Sequence, residues 1–183
     1  MSSPLSLGTR ILGGAATILM IILAIGWLLP ATWEAEASSL VQASPEETFA
    51  FIDSPAGWRA WTVWPDEGVE VTGPARGAGS GFAWESRELG DGVFTIVDVQ
   101  APRSVSYRVE IGGGAMITEG SVRLSPEGSG TRVEWRESGD LGRNPLMGYW
   151  ARSMNRAQSD ELAKSLDALA AAVSDSTGFV RSR

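Results

Sequence analysis

Thr131-Arg132-Val133-Glu134-Trp135-Arg136, then Asn144-Pro145 and one unbroken helical pattern to Val173, is the stretch that decides the fold. Thr131, Val133 and Trp135 alternate with Arg132, Glu134 and Arg136, the period-two pattern of a strand with one buried face. Asn144 can cap a helix and Pro145 can open it. Met147, Trp150, Met154, Leu162, Leu166, Leu169 and Val173 then recur at helical spacing, while Arg152, Arg156, Asp160, Glu161 and Lys164 take the other faces. Gly178 is expected to lie beyond the helix end.

Upstream, the alternation repeats. Pro126-Glu127-Gly128-Ser129-Gly130 is a hairpin loop after a strand over Met116 to Leu124, with Val122 and Leu124 inward. Ser106 to Ile111, Val93 to Val99, Gly81 to Arg87 and Val69 to Thr72 read as further strands. Gly90-Asp91-Gly92 and Ala101-Pro102-Arg103 are turns between them. Trp33 to Val41 is the first strand. Ser44-Pro45-Glu46-Glu47 then carries the elements of a capping box opening a short helix, and a second helical turn is expected over Gly57 to Trp61.

The order is one strand, two short helices, about six more strands and one long helix. The predicted fold is therefore α+β: a curved antiparallel sheet of six to seven strands wrapped around one C-terminal helix. Each strand is polar on one side only, so the other side needs a cover, and the amphipathic helix is the available one. A bent sheet covered by a single helix is expected to leave a mostly apolar cavity.

Ile11 to Leu29 contains no charged residue and is long enough to cross a ~30 Å hydrocarbon layer as a helix. Trp27 and Trp33 lie near its far end, and Pro30 stops it. Residues 11–30 are read as a transmembrane anchor after a tail of residues 1–10. Cleavage at Ala35-Glu36-Ala37 is the competing reading, but that site falls inside the first strand. Arg10 before the segment, and Glu34 and Glu36 after it, orient the amino end inward and the domain outward. Residues 32–174 form the folded domain and residues 175–183 a flexible tail.

Composition removes several function classes. The net charge is -7, and Lys164 is the only lysine. Clustered cations for nucleic acid are missing, and no nucleic-acid partner is expected. With no cysteine and no histidine, thiolate nucleophiles, His-based triads and the usual transition-metal sets are excluded, so neither a metal nor another cofactor is expected. Gly77-Ala78-Gly79-Ser80-Gly81 has no following lysine and opens no helix, so it reads as a turn and not a phosphate loop.

Four stretches together resemble the START-like superfamily, which includes the polyketide cyclase/dehydrase and lipid-transport group and the Bet v 1-like proteins. They are Leu28-Leu29-Pro30 running into the first strand, Ala43-Ser44-Pro45-Glu46-Glu47-Thr48-Phe49, Trp58-Arg59-Ala60-Trp61-Thr62-Val63-Trp64, and Gly130-Thr131-Arg132-Val133-Glu134-Trp135. The match is to bacterial single-span members, and with the orientation from Arg10, Glu34 and Glu36 an inner-membrane protein with its domain outside the cytoplasm is expected. The resemblance also implies a helix-grip fold that binds apolar or amphipathic small molecules, with no shared catalytic set to carry over.

The expected function is accordingly a membrane-anchored binding protein for an apolar or lipid-like molecule. A cyclase- or dehydrase-type enzyme and a ligand-free interaction domain are the alternatives. Trp61, Trp84, Tyr107, Val122, Trp135, Met147, Trp150 and Met154 are the candidate cavity residues. Each of the eight tryptophans, taken singly, is also what an ordinary core would contain. For acid–base chemistry only Glu137 and Tyr107 stand out. If the last strand stays regular, Glu137 continues the inward face of Val133 and Trp135, where burial would raise its pKa. As a strand end beside Ser138-Gly139 it would sit in solvent instead, and that is the preferred expectation.

Overall fold

The computed structural model describes residues 7–63, 68–87, 90–142 and 144–181. Trp64 lies outside the described residues. An apolar helix α1 (Leu7–Leu28) leads into β1 (Thr32–Val41), two short helices α2 (Pro45–Phe49) and α3 (Pro55–Arg59), six strands and a last helix. The strands are β2 (Val69–Thr72), β3 (Gly81–Trp84), β4 (Gly92–Gln100), β5 (Ser104–Ile111), β6 (Met116–Glu127) and β7 (Gly130–Asp140). Helix α4 runs from Met147 to Arg181.

All seven strands form one antiparallel sheet in the order β1-β7-β6-β5-β4-β3-β2. Sequential hairpins build β2 to β7, and β1 closes onto β7 with Ala35 opposite Glu137 and Val41 opposite Thr131. A bulge between Ile96 and Asp98 shifts the β4–β5 register. It turns Phe94, Ile96 and then Val99 to the inner face, in place of a single unbroken alternation.

The capping box forms as expected. The Ser44 side chain accepts from the Glu47 backbone N–H, and the Glu47 carboxylate accepts from the Ser44 backbone N–H at 2.8 Å. The second helix starts earlier than expected. Ser54 caps it, accepting from the Gly57 N–H at 3.2 Å, so Pro55 opens the helix instead of merely ending the one before.

Helix α4 also departs from expectation at both ends. The Asn144 side chain accepts from the Leu146 N–H and its carbonyl from the Met147 N–H, both at 2.9 Å, so Asn144-Pro145 forms a turn before the helix. Gly178 falls inside the helix; one such glycine costs only about 1 kcal/mol, too little to break it.

The core is one cluster. Leu162, Leu166, Leu169 and Val173 on α4 are fully buried together with Val105, Val122, Val133 and Ile96 of the sheet. Helix α4 lies along β1, one edge of the sheet, and the Glu36 N–H donates to Ser159 Oγ at 3.3 Å. The helix thus satisfies a backbone donor on an edge strand. At the other end of the chain, Ile11–Leu28 has a mean hydropathy of 2.3 and is almost entirely exposed. Among the described residues one helix is therefore long and apolar enough to span a membrane, and it is not packed into the core of this domain.

Candidate functional site

Ala35, Glu137, Gly120, Tyr107 and Ile96 are aligned across β1, β7, β6, β5 and β4, each opposite the next. All are inward positions. Gly120 has no side chain, and the Tyr107 ring occupies the space where a Cβ would stand. That lets the ring cross β6. The Tyr107 hydroxyl donates to Glu137 Oε1 and accepts from Trp135 Nε1–H at 2.7 Å. From α4, Gln158 Nε2 donates to Glu137 Oε2 at 2.8 Å. Two carboxylate oxygens are thus held by two neutral donors, one from the sheet and one from the helix.

The electrostatics follow from burial. Desolvation pushes the Glu137 carboxyl above its ordinary value, and the two hydrogen bonds only partly oppose it. Burial and the adjacent Glu137 hold the Tyr107 hydroxyl well above its ordinary value, so it remains a donor. Among the described residues no cation pairs with Glu137. The solvent-facing reading of Glu137 is thereby overturned: β7 stays regular through Asp140, keeping Glu137 on the Val133 and Trp135 face.

The other expected cavity residues fall into three groups. Trp61, Trp84 and Trp135 are buried in an aromatic cluster with Trp58, Phe82, Phe94 and Tyr107. Trp58 sits at its centre, 4.7 Å from Trp61, 5.0 Å from Tyr107 and 5.7 Å from Trp135, mostly tilted or edge-on. The Trp58 and Trp61 N–H groups donate to the carbonyls of Ile52 and Phe51, tying α3 to the end of α2. Trp84 buries its N–H without a partner among the described residues. Val122 is fully buried, and Met147 and Met154 are half-buried. Trp150 is 56% exposed.

A cleft of about 840 Å³ borders the aligned row: its wall takes in Ala35, Gly120, Tyr107 and Glu137, with Asn155 and Ser159 of α4. The wall also includes Glu34, Glu36, Arg108, Glu119 and Arg136, whose strand positions alternate with the buried ones, so these side chains face outward. Arg108 bonds Glu110 at 2.8 Å and Glu119 at 3.1 Å, and Arg136 lies 3.5 Å from Glu36. Tyr107 and Glu137 share the wall while their side chains turn to the inner face. Of the eight candidates only Tyr107 borders this cleft. Large aromatic rings pack into part of the inner face, and the cleft beside them draws both polar and apolar residues from the sheet and from α4.

Sequence reading passed over Gly120 and Gln158. Gly120 had a legible signal, a glycine at an inward strand position. Gln158 had none, because its role depends on where α4 crosses β7.

A seven-stranded antiparallel sheet gripping one long helix, with two short helices after the first strand, defines a helix-grip protein. Residues 32–174 match the family described as polyketide cyclase / dehydrase and lipid transport, and the chain belongs to that family. Solved structures share the fold. Mll3558 from Rhizobium loti superposes with a TM-score of 0.55 at 23% identity, over 77% of this chain and 96% of that one. Norcoclaurine synthase from Thalictrum flavum, a point mutant in complex with a transition state analogue, gives 0.62 at 14% identity, over 80% and 96%. CalU16 from Micromonospora echinospora gives 0.52 at 20% identity, over 81% and 90%. No curated protein matches this chain in sequence.

Proposed function

We propose that this protein is a membrane-tethered binding domain for a small amphipathic molecule. Its ligand has an apolar body and a hydrogen-bond-donating group, a hydroxyl or a protonated amine. The observation that carries the reading is Glu137. A buried carboxyl held only by neutral donors is costly to the fold, and a costly polar group amid aromatic side chains is a functional-site candidate. Family membership supports small-molecule binding in general. The ligand's body would lie against Trp61, Trp135 and the half-buried Met147 and Met154, which admit it by rearranging where α4 meets the sheet. Helix α1 would anchor the domain in the bilayer, with the domain outside the cytoplasm.

Full-length protein released from lipid nanodiscs should retain a small molecule in native mass spectrometry, and Glu137→Gln should retain less of it. Wild-type protein whose mass matches the bare chain across several preparations would sink the reading.

A cyclase- or dehydrase-type enzyme is the second reading, favoured by the same Tyr107–Glu137 pair. Burial raises the Glu137 carboxyl toward the range in which a carboxyl can serve as a general acid. Loss of turnover without loss of retained ligand in Glu137→Gln would distinguish it.

A further inference from the structure

Helix α4 begins against the last turns of α1. The Tyr149 hydroxyl donates to the carbonyl of Ile22 at 2.8 Å. A Cβ on Gly26 would overlap the Pro145 carbonyl, and one on Gly148 would run into Leu29. Two glycines thus let the backbones meet, the device by which membrane helices approach closely. The crossing is consequently fixed in depth. Ile22 lies six residues before Leu28, about 9 Å down the helix axis.

Around this crossing the surface is apolar. Trp27 is 64% exposed and Leu28 85%, and the α4 start adds Leu146 at 54% and Tyr149 at 40% beside the largely exposed Trp150. In water such a patch is a liability. Beside a spanning helix, Trp and Tyr with an adjacent Leu are the residues that favour the boundary between headgroups and acyl chains.

We infer that Leu146, Tyr149 and Trp150 form a second membrane contact that seats the domain on the lipid surface beside α1. The occupant of the patch is the bilayer interface itself. This rests on α1 spanning the membrane. It adds that the domain is held at a set height and tilt, with the first turn of α4 in the headgroup layer. The half-buried Met147 and Met154 then sit next to the lipid, giving a membrane-derived ligand a short path inward.

The cysteine-free chain permits a direct test. Single nitroxide labels are placed at Trp150→Cys and Leu146→Cys, at Ile18→Cys within α1, and at Glu161→Cys on the exposed side of α4. Full-length protein in phosphatidylcholine nanodiscs is then probed with oxygen and a nickel chelate. The expected result is a nickel accessibility at 150 and 146 several-fold below that at 161, with oxygen accessibility between those of 161 and 18. Labels at 150 and 146 as nickel-accessible as the one at 161, with 18 protected, would overturn the seating while leaving the anchor intact. Nickel access at 18 would overturn the anchor and the seating together.

Discussion

The Tyr107 ring reaches Glu137 by lying across Gly120, so a residue without a side chain on the strand between them makes the hydrogen bond possible. Around that bond the site is balanced between satisfaction and cost. Both carboxylate oxygens of Glu137 have donors, yet burial still favours its neutral form.

Stability should therefore fall as pH rises. A carboxyl with a raised folded-state pKa binds its proton more tightly in the fold than in the unfolded chain. Its contribution is fully present below the ordinary carboxylate value and is lost as pH rises through the folded value. Thermal unfolding followed from about pH 5 to about pH 8 should show this decline, and Glu137→Gln should flatten it. An unchanged slope in the variant would place the titration elsewhere.

Tyr107→Phe removes the acceptor of the Trp135 N–H and a donor to Glu137 at once. Leaving a buried donor unpaired costs about 1–3 kcal/mol. The lost hydrogen bond also lets the Glu137 pKa climb further, because that bond opposes the burial effect. Urea unfolding of Tyr107→Phe, Glu137→Gln and the double variant forms a cycle. The two effects should fail to add, since the residues share one network. Additivity would mean that the contact contributes nothing of its own.

The fold was legible because each strand faces water on one side, and the 3.6-residue period of Leu162, Leu166, Leu169 and Val173 admits one element type. Ser44 and Glu47 announced their helix by spacing alone. The site was legible only in part. Ser138-Gly139 looks like a stop that would leave Glu137 at a strand end, whereas the β1 and β6 partners carry the strand on to Asp140. The size of the inner space is not legible, because alternation gives direction and not volume. Trp58, Trp61, Phe94 and Trp135 all turn inward, and side chains of that size fill space that the backbone curvature leaves. The bulge at Ile96/Asp98 had no sequence signal, and it decides that Asp98 is exposed and Val99 faces in.

Gly120→Ala tests the geometry more sharply than any change at Tyr107. The added methyl would stand inside the present ring position, between strands that cannot part without breaking the β5–β6 ladder. The ring must swing away, as in other overpacked cores, at about 1–3 kcal/mol. Two losses should appear together: a lower unfolding midpoint and the loss of the Tyr107–Glu137 bond, seen as a change in tyrosine absorbance. A stable Gly120→Ala protein with an unperturbed Tyr107 would show that the ring does not need the gap.

Leu166→Ala asks whether α4 is a structural cover or a loosely held lid. Leu166 is fully buried and sits between Leu162 and Leu169 on the face that meets the sheet. Truncation of a buried leucine costs about 2–5 kcal/mol when its surroundings cannot collapse into the gap. The aromatic rings of the inner face are rigid, so the upper half of that range is expected. Glu161→Ala, five residues before it on the exposed side, serves as the control and should change stability by no more than about 0.5 kcal/mol. If both variants unfold together with wild type, α4 does not carry the core, and the grip of sheet on helix is weaker than the burial of Leu166 implies. If only Leu166→Ala falls, and hydrogen exchange opens β1 along with α4, the helix and the strand edge it covers unfold as one unit.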